Sequence, residues 1–278
     1  MRSPVMPLLF ALLALSAASG HATTTAERGF ERVAAALATL GGIEALDRAG
    51  GISWIGTGRD DIAARLKPDD AGAPDYYPST EAFSYRVDDG RLAFETHSAL
   101  DGENEEWTRR VFDGNGRSLT VDRRFNIAYW NDSAIVDLEA ARHRNMIAHE
   151  LLASVLMQRG TLDLLPDQTF FGQVAHAVSG ALADGTRVTL FIDADDALIG
   201  ASYPLEVPTF GTVTATWVYD ALVHVEGLGL YPAGHRVYLD DRLIREVRYD
   251  ELRAGPNPTL MAAPAGVTVP ALPIPDRT

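Results

Sequence analysis

Residues 212–226 read TVTATWVYDALVHVE, and the two-residue period of this stretch decides the fold class. The even positions are mostly polar: Thr212, Thr214, Thr216, Asp220, His224 and Glu226. The odd positions are apolar: Val213, Ala215, Trp217, Tyr219, Ala221, Val223 and Val225. Because successive side chains of a strand point to opposite faces, this alternation predicts one long antiparallel strand with a dry face and a solvated face.

The same period recurs along the chain, with turn residues between the segments. Predicted strands include residues 52–55, 83–87, 92–94, 107–112, 118–121, 188–192, 236–239 and 243–249. Asp-Gly and Asn-Gly steps between them favour the positive φ of tight turns. No strand–helix–strand alternation occurs. The pattern predicts an α+β fold: a single strongly curved antiparallel sheet, an incomplete β-barrel of about ten or eleven strands, with helices on its concave face.

Two segments have helical spacing instead. Thr23–Leu40 is predicted as an amphipathic helix that Thr25 caps, and one further helix is predicted over Asp137–Gln158, laid against the sheet. We therefore divide the chain into a signal peptide (1–22), an N-terminal helical segment (23–50), the half-barrel (51–263, with the inserted helix at 137–158) and a proline-rich C-terminal tail (264–278).

The charge balance and the absence of cysteine exclude several function classes. The 278 residues include 24 Lys+Arg and 38 Asp+Glu, a formal net charge of −14. This charge argues against nucleic acid and anionic lipid surfaces as main partners, since both attract positive surfaces. Without cysteine there is no disulfide, zinc–thiolate or iron–sulfur site, thiol nucleophile or lipid-bearing N-terminal cysteine.

The first 22 residues, MRSPVMPLLFALLALSAASGHA, resemble a secretory signal peptide. Arg2 gives the positive start, and Leu8–Ala18 is an apolar run too short to span a bilayer. Ala18, Gly20 and Ala22 fit a cleavage site. No later stretch is long and apolar enough for a transmembrane anchor. We expect a soluble mature protein in the periplasm or outside the cell.

No pattern in the sequence points to catalysis, a metal or a cofactor. His149-Glu150-Leu151-Leu152-Ala153 begins like a zincin helix, but Ala153 stands where a second histidine ligand is needed. His176, His224 and His235 form a metal site only if the sheet brings them together. Nucleophile-elbow, dinucleotide and calcium-loop patterns are absent. We expect no cofactor and favour a binding function, and a metal hydrolase using the sheet histidines is the remaining catalytic hypothesis.

A curled sheet with helices over one face can enclose an apolar cavity. Its candidate ligand-binding residues are Trp54, Phe83, Tyr85, Phe94, Trp107, Phe112, Trp217 and Tyr219. Aromatic residues at strand period form a packed core more often than a ligand site, so both interpretations stay open for each of them. The candidate ligand is a lipid, an acyl chain or another apolar small molecule.

Several segments resemble a known family. They are LGGIEAL at 40–46, FGQVAHAV at 171–178, DGTRVTLFID at 184–193, WVYD at 217–220 and VEGLGLYP at 225–232. They resemble the LolA/LolB-like periplasmic lipoprotein-sorting proteins. The resemblance is closest to the domain of that kind found N-terminal to the catalytic domain of some exported metallo-β-lactamase-fold hydrolases. It implies an incomplete β-barrel whose concave face binds acyl chains, a lipoprotein anchor or another hydrophobic ligand.

The chain departs from these families at two points. It lacks the N-terminal cysteine of a lipid-anchored acceptor, so the resemblance implies a soluble carrier. It also lacks the His-x-His-x-Asp-His zinc motif, and residues 264–278 stand where the hydrolase domain would begin. A second hypothesis is therefore an accessory domain whose partner is a separately encoded hydrolase or another envelope protein.

Overall fold

The computed structural model describes residues 24–61, 72–99, 106–131, 135–207 and 211–270. The predicted signal peptide, residues 1–22, lies outside them. The α-helices in these ranges are α1 (Thr25–Thr39), α2 (Ile43–Ala49), α3 (Ile135–Arg144), α4 (Ala148–Met157) and α5 (Pro258–Met261). The strands are β1 (Gly51–Asp60), β2 (Tyr77–Arg86), β3 (Leu92–Ser98), β4 (Glu106–Phe112), β5 (Ser118–Asp122), β6 (Ile127–Asn131), β7 (Asp163–Leu164), β8 (Gln168–Phe170), β9 (Gln173–Ala181), β10 (Arg187–Ile192), β11 (Leu198–Val207), β12 (Gly211–Tyr219), β13 (Leu222–Val225), β14 (Gly229–Pro232), β15 (Gly234–Leu239) and β16 (Arg242–Ala254).

Fourteen of these strands form one open antiparallel sheet. Their order is β6-β5-β4-β3-β2-β1-β16-β15-β12-β11-β10-β9-β7, and β8 also pairs with β9. β6 and β7 are the two ends of this order, so the barrel is incomplete. The predicted fold class is confirmed. The sheet is wider than ten or eleven strands because the short strands β6, β7 and β8 carry too few residues for their period to be recognised.

The first and last strands of the described chain lie side by side at the centre of the sheet. β1 pairs with β2 on one side and with β16 on the other. The two backbones come close at Gly58, where a Cβ atom would lie 1.8 Å from the carbonyl oxygen of Glu246. A register shift between Ile55 and Gly56 adds an irregularity in the same ladder. Glycine and bulge together allow the bend that a half-barrel needs here.

The helices cover the concave face and close the main core. Val33 of α1 and Leu151 of α4 pack in one buried cluster with Trp54, Phe83 and Leu190 of the sheet. Trp54 stacks on Phe83 with ring centroids 4.0 Å apart. Apolar burial of this extent is the main stabilising contribution to a fold of this kind. Among the described residues, no helix has the length and hydropathy required to cross a membrane.

The N-cap of the N-terminal helix lies one residue before the predicted cap. Thr24, and not Thr25, is the N-cap, and its hydroxyl accepts a hydrogen bond from the backbone of Glu27 at 3.2 Å. The Glu27 carboxylate accepts from the Thr24 backbone in return, at 2.8 Å. This capping box satisfies two backbone donors that a helix start otherwise leaves open. The prediction of Thr25 as the cap was wrong. Two adjacent threonines could cap this helix, and Thr24 is the one with a glutamate three residues later, which completes the capping box.

The stretch at 212–226 is two strands instead of one. β12 ends at Tyr219, and β13 leaves the main sheet to form a separate hairpin with β14. The chain turns at Asp220, whose backbone donates to the carbonyl of Gly234 at 3.1 Å. Val225 of this hairpin is still buried in the main core, while Val223 is exposed. The alternation continues through the break, so its period could not show that the strand changes its partner.

The predicted helix at 137–158 is likewise divided. α3 ends at Arg144, and α4 begins after Ile147, whose backbone is extended and whose side chain is fully buried. The interruption places Met146 beside the sheet.

At the other end of the chain, residues 264–270 form no helix or strand, and the carbonyl of Pro270 accepts a hydrogen bond from Trp130 Nε1 at 3.0 Å. Residues 271–278 lie outside the described ranges.

Candidate functional site

A groove of about 240 Å³ opens on the concave face between α3 and the centre of the sheet. Seven of its lining residues have apolar or aromatic surfaces: Phe94, Met146, Tyr203, Leu205, Trp217, Val237 and Ile244. Three are basic: Arg142, His143 and Arg245. The groove thus combines apolar walls with positive groups.

A β-bulge brings one groove residue to the concave face. Val237 pairs with Arg245 and Tyr238 pairs with Leu243, so Ile244 is the extra residue of β16. Instead of pointing to the convex face, Ile244 packs with Val237 in a small buried cluster that extends the groove wall. Re-aiming a side chain in this way is a known effect of a bulge.

A buried ion cluster lies behind the groove. The guanidinium of Arg245 donates to both carboxylate oxygens of Asp60, at 2.7 and 2.9 Å, and to Glu81 at 3.3 Å. Ser98 and Trp54 donate to the same two carboxylates, each at 2.9 Å. Burial alone lowers the pKa of Arg245, but the adjacent carboxylates outweigh it and raise the pKa above its ordinary value. Arg245 therefore carries a full positive charge inside the protein.

His235 lies between this cluster and the aromatic wall of the groove. It is fully buried, stacks on Trp217 with centroids 4.8 Å apart, and its Nδ1 lies 2.9 Å from the hydroxyl of Tyr249. Its Nε2 is 3.8 Å from Glu81. Burial lowers the pKa of His235, despite the opposing effect of Glu81, so the imidazole is neutral at neutral pH.

His143 is also neutral at the groove wall. Its Nδ1 lies 2.7 Å from the carbonyl of Glu139, and because a carbonyl only accepts, Nδ1 carries the hydrogen. Burial lowers the pKa of His143, and the hydrogen bond to Glu139 opposes this shift. The charge of the groove wall at neutral pH therefore comes from the two arginines.

The structure brings two of the eight predicted ligand residues to the groove, Phe94 and Trp217. Five others are packed in the main core: Trp54, Phe83, Tyr85, Phe112 and Tyr219. Trp107 lies apart from both, next to His97 on the neighbouring strand, with the guanidinium of Arg123 over its ring.

Sequence reasoning missed the groove residues contributed by other segments. Arg245 could have been recognised from the sequence, because it is spaced two and four residues from Val247 and Tyr249 and so lies on the same buried face of β16. A charged residue on a dry face implies a buried partner. Tyr203 and Leu205 are two residues apart in β11 and so lie on one face of that strand, but only the folded sheet shows that this face points to α3.

The three sheet histidines lie in different environments. His176 on β9 is hydrogen-bonded to Asp167 at 2.8 Å, His224 is exposed on the separate hairpin, and His235 is buried. Within the described ranges, no group of three or more His, Asp or Glu side chains is placed to hold a metal ion. His149 is a core residue whose Nε2 lies 3.0 Å from the carbonyl of Leu40.

A larger depression of about 500 Å³ lies between α1 and β9, and its walls are polar. Arg32 and Asp196 in this depression pair with each other at 2.8 Å, as do His176 and Asp167. Because these side chains already bind one another, the depression offers less than the concave groove for a ligand.

The fold is thus an open α+β half-barrel with an apolar groove on its concave face. No protein-family model matches the chain, and no curated protein matches it. Among solved structures it is similar to an outer membrane lipoprotein-sorting protein domain from Vibrio parahaemolyticus, with 12% identity, a TM-score of 0.46, and coverage of 82% of this chain and 92% of that one. It is also similar to a DUF1329 family protein from Desulfovibrio piger, with 10% identity, a TM-score of 0.44, and coverage of 86% and 98%. These likenesses concern the fold, and no ligand is assigned from them.

Proposed function

We propose that this chain is an exported, non-catalytic binding protein that holds the apolar chain of a small ligand in the concave groove. The observation that carries the proposal is the groove itself, where seven apolar or aromatic side chains from five strands and the turn after α3 surround about 240 Å³. The adjoining main core, which includes Trp54, Phe83 and Leu151, is buried and packed. The signal-peptide pattern of residues 1–22 supports the exported location.

Apolar contact is the main source of binding free energy in such a groove. Each buried methylene contributes about 0.8 kcal/mol, so about eight of them contribute roughly 6 kcal/mol before the cost of association. Typical small-molecule pockets have volumes of about 300–1,000 Å³, which makes this groove suitable for one chain rather than several. The aromatic walls at Phe94 and Trp217 are held by packing, so little rearrangement is needed on binding.

The test is the displacement of a fluorescent fatty-acid analogue from the purified protein, together with native mass spectrometry of any co-purified lipid. Leu205→Trp should fill the groove and weaken binding by about tenfold or more, since it removes the space the chain needs. Thr214→Trp is the matched control, because Thr214 is exposed on the opposite face of the adjoining strand. Absence of saturable binding by the unaltered protein would refute the proposal.

A further inference from the structure

The groove wall carries basic side chains although the protein as a whole is acidic. The chain has 38 acidic and 24 basic residues, yet the groove wall, as far as the described residues form it, contains two arginines and no carboxylate. A basic side chain in this wall favours a ligand with a negative charge if no carboxylate of the protein already binds it.

Arg245 is not the group that receives this charge. Its guanidinium already binds Asp60 in a bidentate pair and reaches Glu81 as well. Its donors and its charge are therefore already taken up by these two carboxylates.

Arg142 is different. It lies on α3, half-buried at the groove, and it forms no ion pair with another described residue. Arg110 of β4, by contrast, is paired with Glu139 of α3 at 3.1 Å. Arg142 therefore keeps all its donors for a ligand, and a guanidinium offers them in a fork that matches a carboxylate.

The hydroxyl of Tyr203 provides a second donor in the same wall. Its oxygen accepts a hydrogen bond from Trp217 Nε1 at 3.0 Å, and its own hydrogen has no acceptor among the described residues. Arg142 and Tyr203 line the same groove. Burial raises the pKa of Tyr203, and this rise outweighs the opposing effects of the Trp217 hydrogen bond and the Arg142 charge. At neutral pH the phenol is a donor.

We propose that Arg142 and the Tyr203 hydroxyl bind the carboxylate of a long-chain carboxylic acid whose alkyl chain lies in the groove. This inference rests on the proposed function and adds the chemical class of the ligand. The apolar wall selects the chain, and the two donors fix its polar end at the α3 side.

The test compares four ligands of equal chain length by isothermal titration calorimetry: dodecanoate, dodecyl phosphate, dodecanol and dodecyltrimethylammonium. We expect dodecanoate to bind about tenfold more tightly than dodecanol at low salt, because a charge-assisted hydrogen bond is gained, and the cation to bind least. Equal binding of dodecanoate and dodecanol, or tighter binding of the phosphate, would overturn the carboxylate site while leaving the proposed function intact. If no ligand binds, the proposed function fails with it.

Variants then locate the site. Arg142→Gln should weaken dodecanoate about tenfold and leave dodecanol unchanged, and Tyr203→Phe should act in the same direction with a smaller effect. Arg187→Gln is the control, since Arg187 is exposed at the start of β10, outside the groove, and the charge change is the same. Equal losses in Arg142→Gln and Arg187→Gln would mean that net charge, and not a carboxylate site, sets the preference.

Discussion

Arg245 and Asp60 face each other across the β1–β16 ladder, and the guanidinium of one donates to both carboxylate oxygens of the other. Both side chains are almost completely buried. This pair holds the central strands of the half-barrel together directly behind the groove, so its removal affects the whole sheet.

Replacement of Arg245 by methionine should lower the free energy of unfolding by about 3–5 kcal/mol at neutral pH. The reason is that Asp60 and Glu81 would then be buried without their common cation. Urea unfolding followed by tryptophan fluorescence measures the change. Arg59→Met is the control: its ion pair with Glu246, at 2.8 Å, has side chains 49% and 40% exposed and should contribute less than about 1 kcal/mol. Similar losses in both variants would contradict the buried role of Arg245.

Stability should fall as the pH decreases from about 6.5 to about 4, in part because of His149. Burial lowers the pKa of this imidazole from 6.5 in the unfolded chain to about 4 in the folded protein. As the pH falls, the unfolded state therefore binds the proton first. The resulting loss of unfolding free energy is about 3 kcal/mol near pH 4 and disappears above about pH 6.5.

The His149→Gln variant isolates this effect, since its amide can still donate to the carbonyl of Leu40. Its unfolding free energy should lose less between these pH values than that of the unaltered protein. His224→Gln, at an exposed position of β13, should keep the full pH dependence. The same slope in all three proteins would show that His149 is not the responsible group.

Gly58→Ala should destabilise the protein by about 3 kcal/mol, because the new Cβ would lie 1.8 Å from the carbonyl oxygen of Glu246 and force two central strands apart. Gly160→Ala is the matched substitution at a site with nothing within 4 Å, and it should be neutral or slightly stabilising. Thermal unfolding monitored by circular dichroism compares the two. A neutral Gly58→Ala would mean that β1 and β16 are further apart than described.

The capping box gives a prediction that separates two adjacent threonines. Thr24→Ala should cost about 1 kcal/mol, as is typical for loss of an N-cap hydroxyl, while Thr25→Ala should have almost no effect. Chemical denaturation of the two variants measures this difference. The reverse order would restore Thr25 as the cap.

The sequence was sufficient for the fold class and insufficient for the site. Period-two segments such as 83–87 and 107–112 are real strands, since one buried face imposes the alternation on each of them. The break at Asp220 was hidden because β12 and β13 both keep one face in the same core. Trp54 and Trp217 both occupy apolar positions of an alternating segment and have similar neighbours in the sequence. Trp54 is nevertheless buried in the core, whereas Trp217 lines the groove. Their difference depends on where α3 ends, which is a property of tertiary packing.

The central position of β1 also sets the order in which the fold can form. One partner of β1 is β2, which follows it closely in the sequence. The other partner is β16, which lies almost two hundred residues later. Until β16 is available, the edge of β1 and the indole of Trp54 lack the neighbours that bury them. Pairings at such separation form slowly, on the order of milliseconds to seconds, and leave unpaired strand edges exposed to association meanwhile. A protein of this topology gains from being kept unfolded until the whole chain can pair, as it would be if it crossed a membrane before folding.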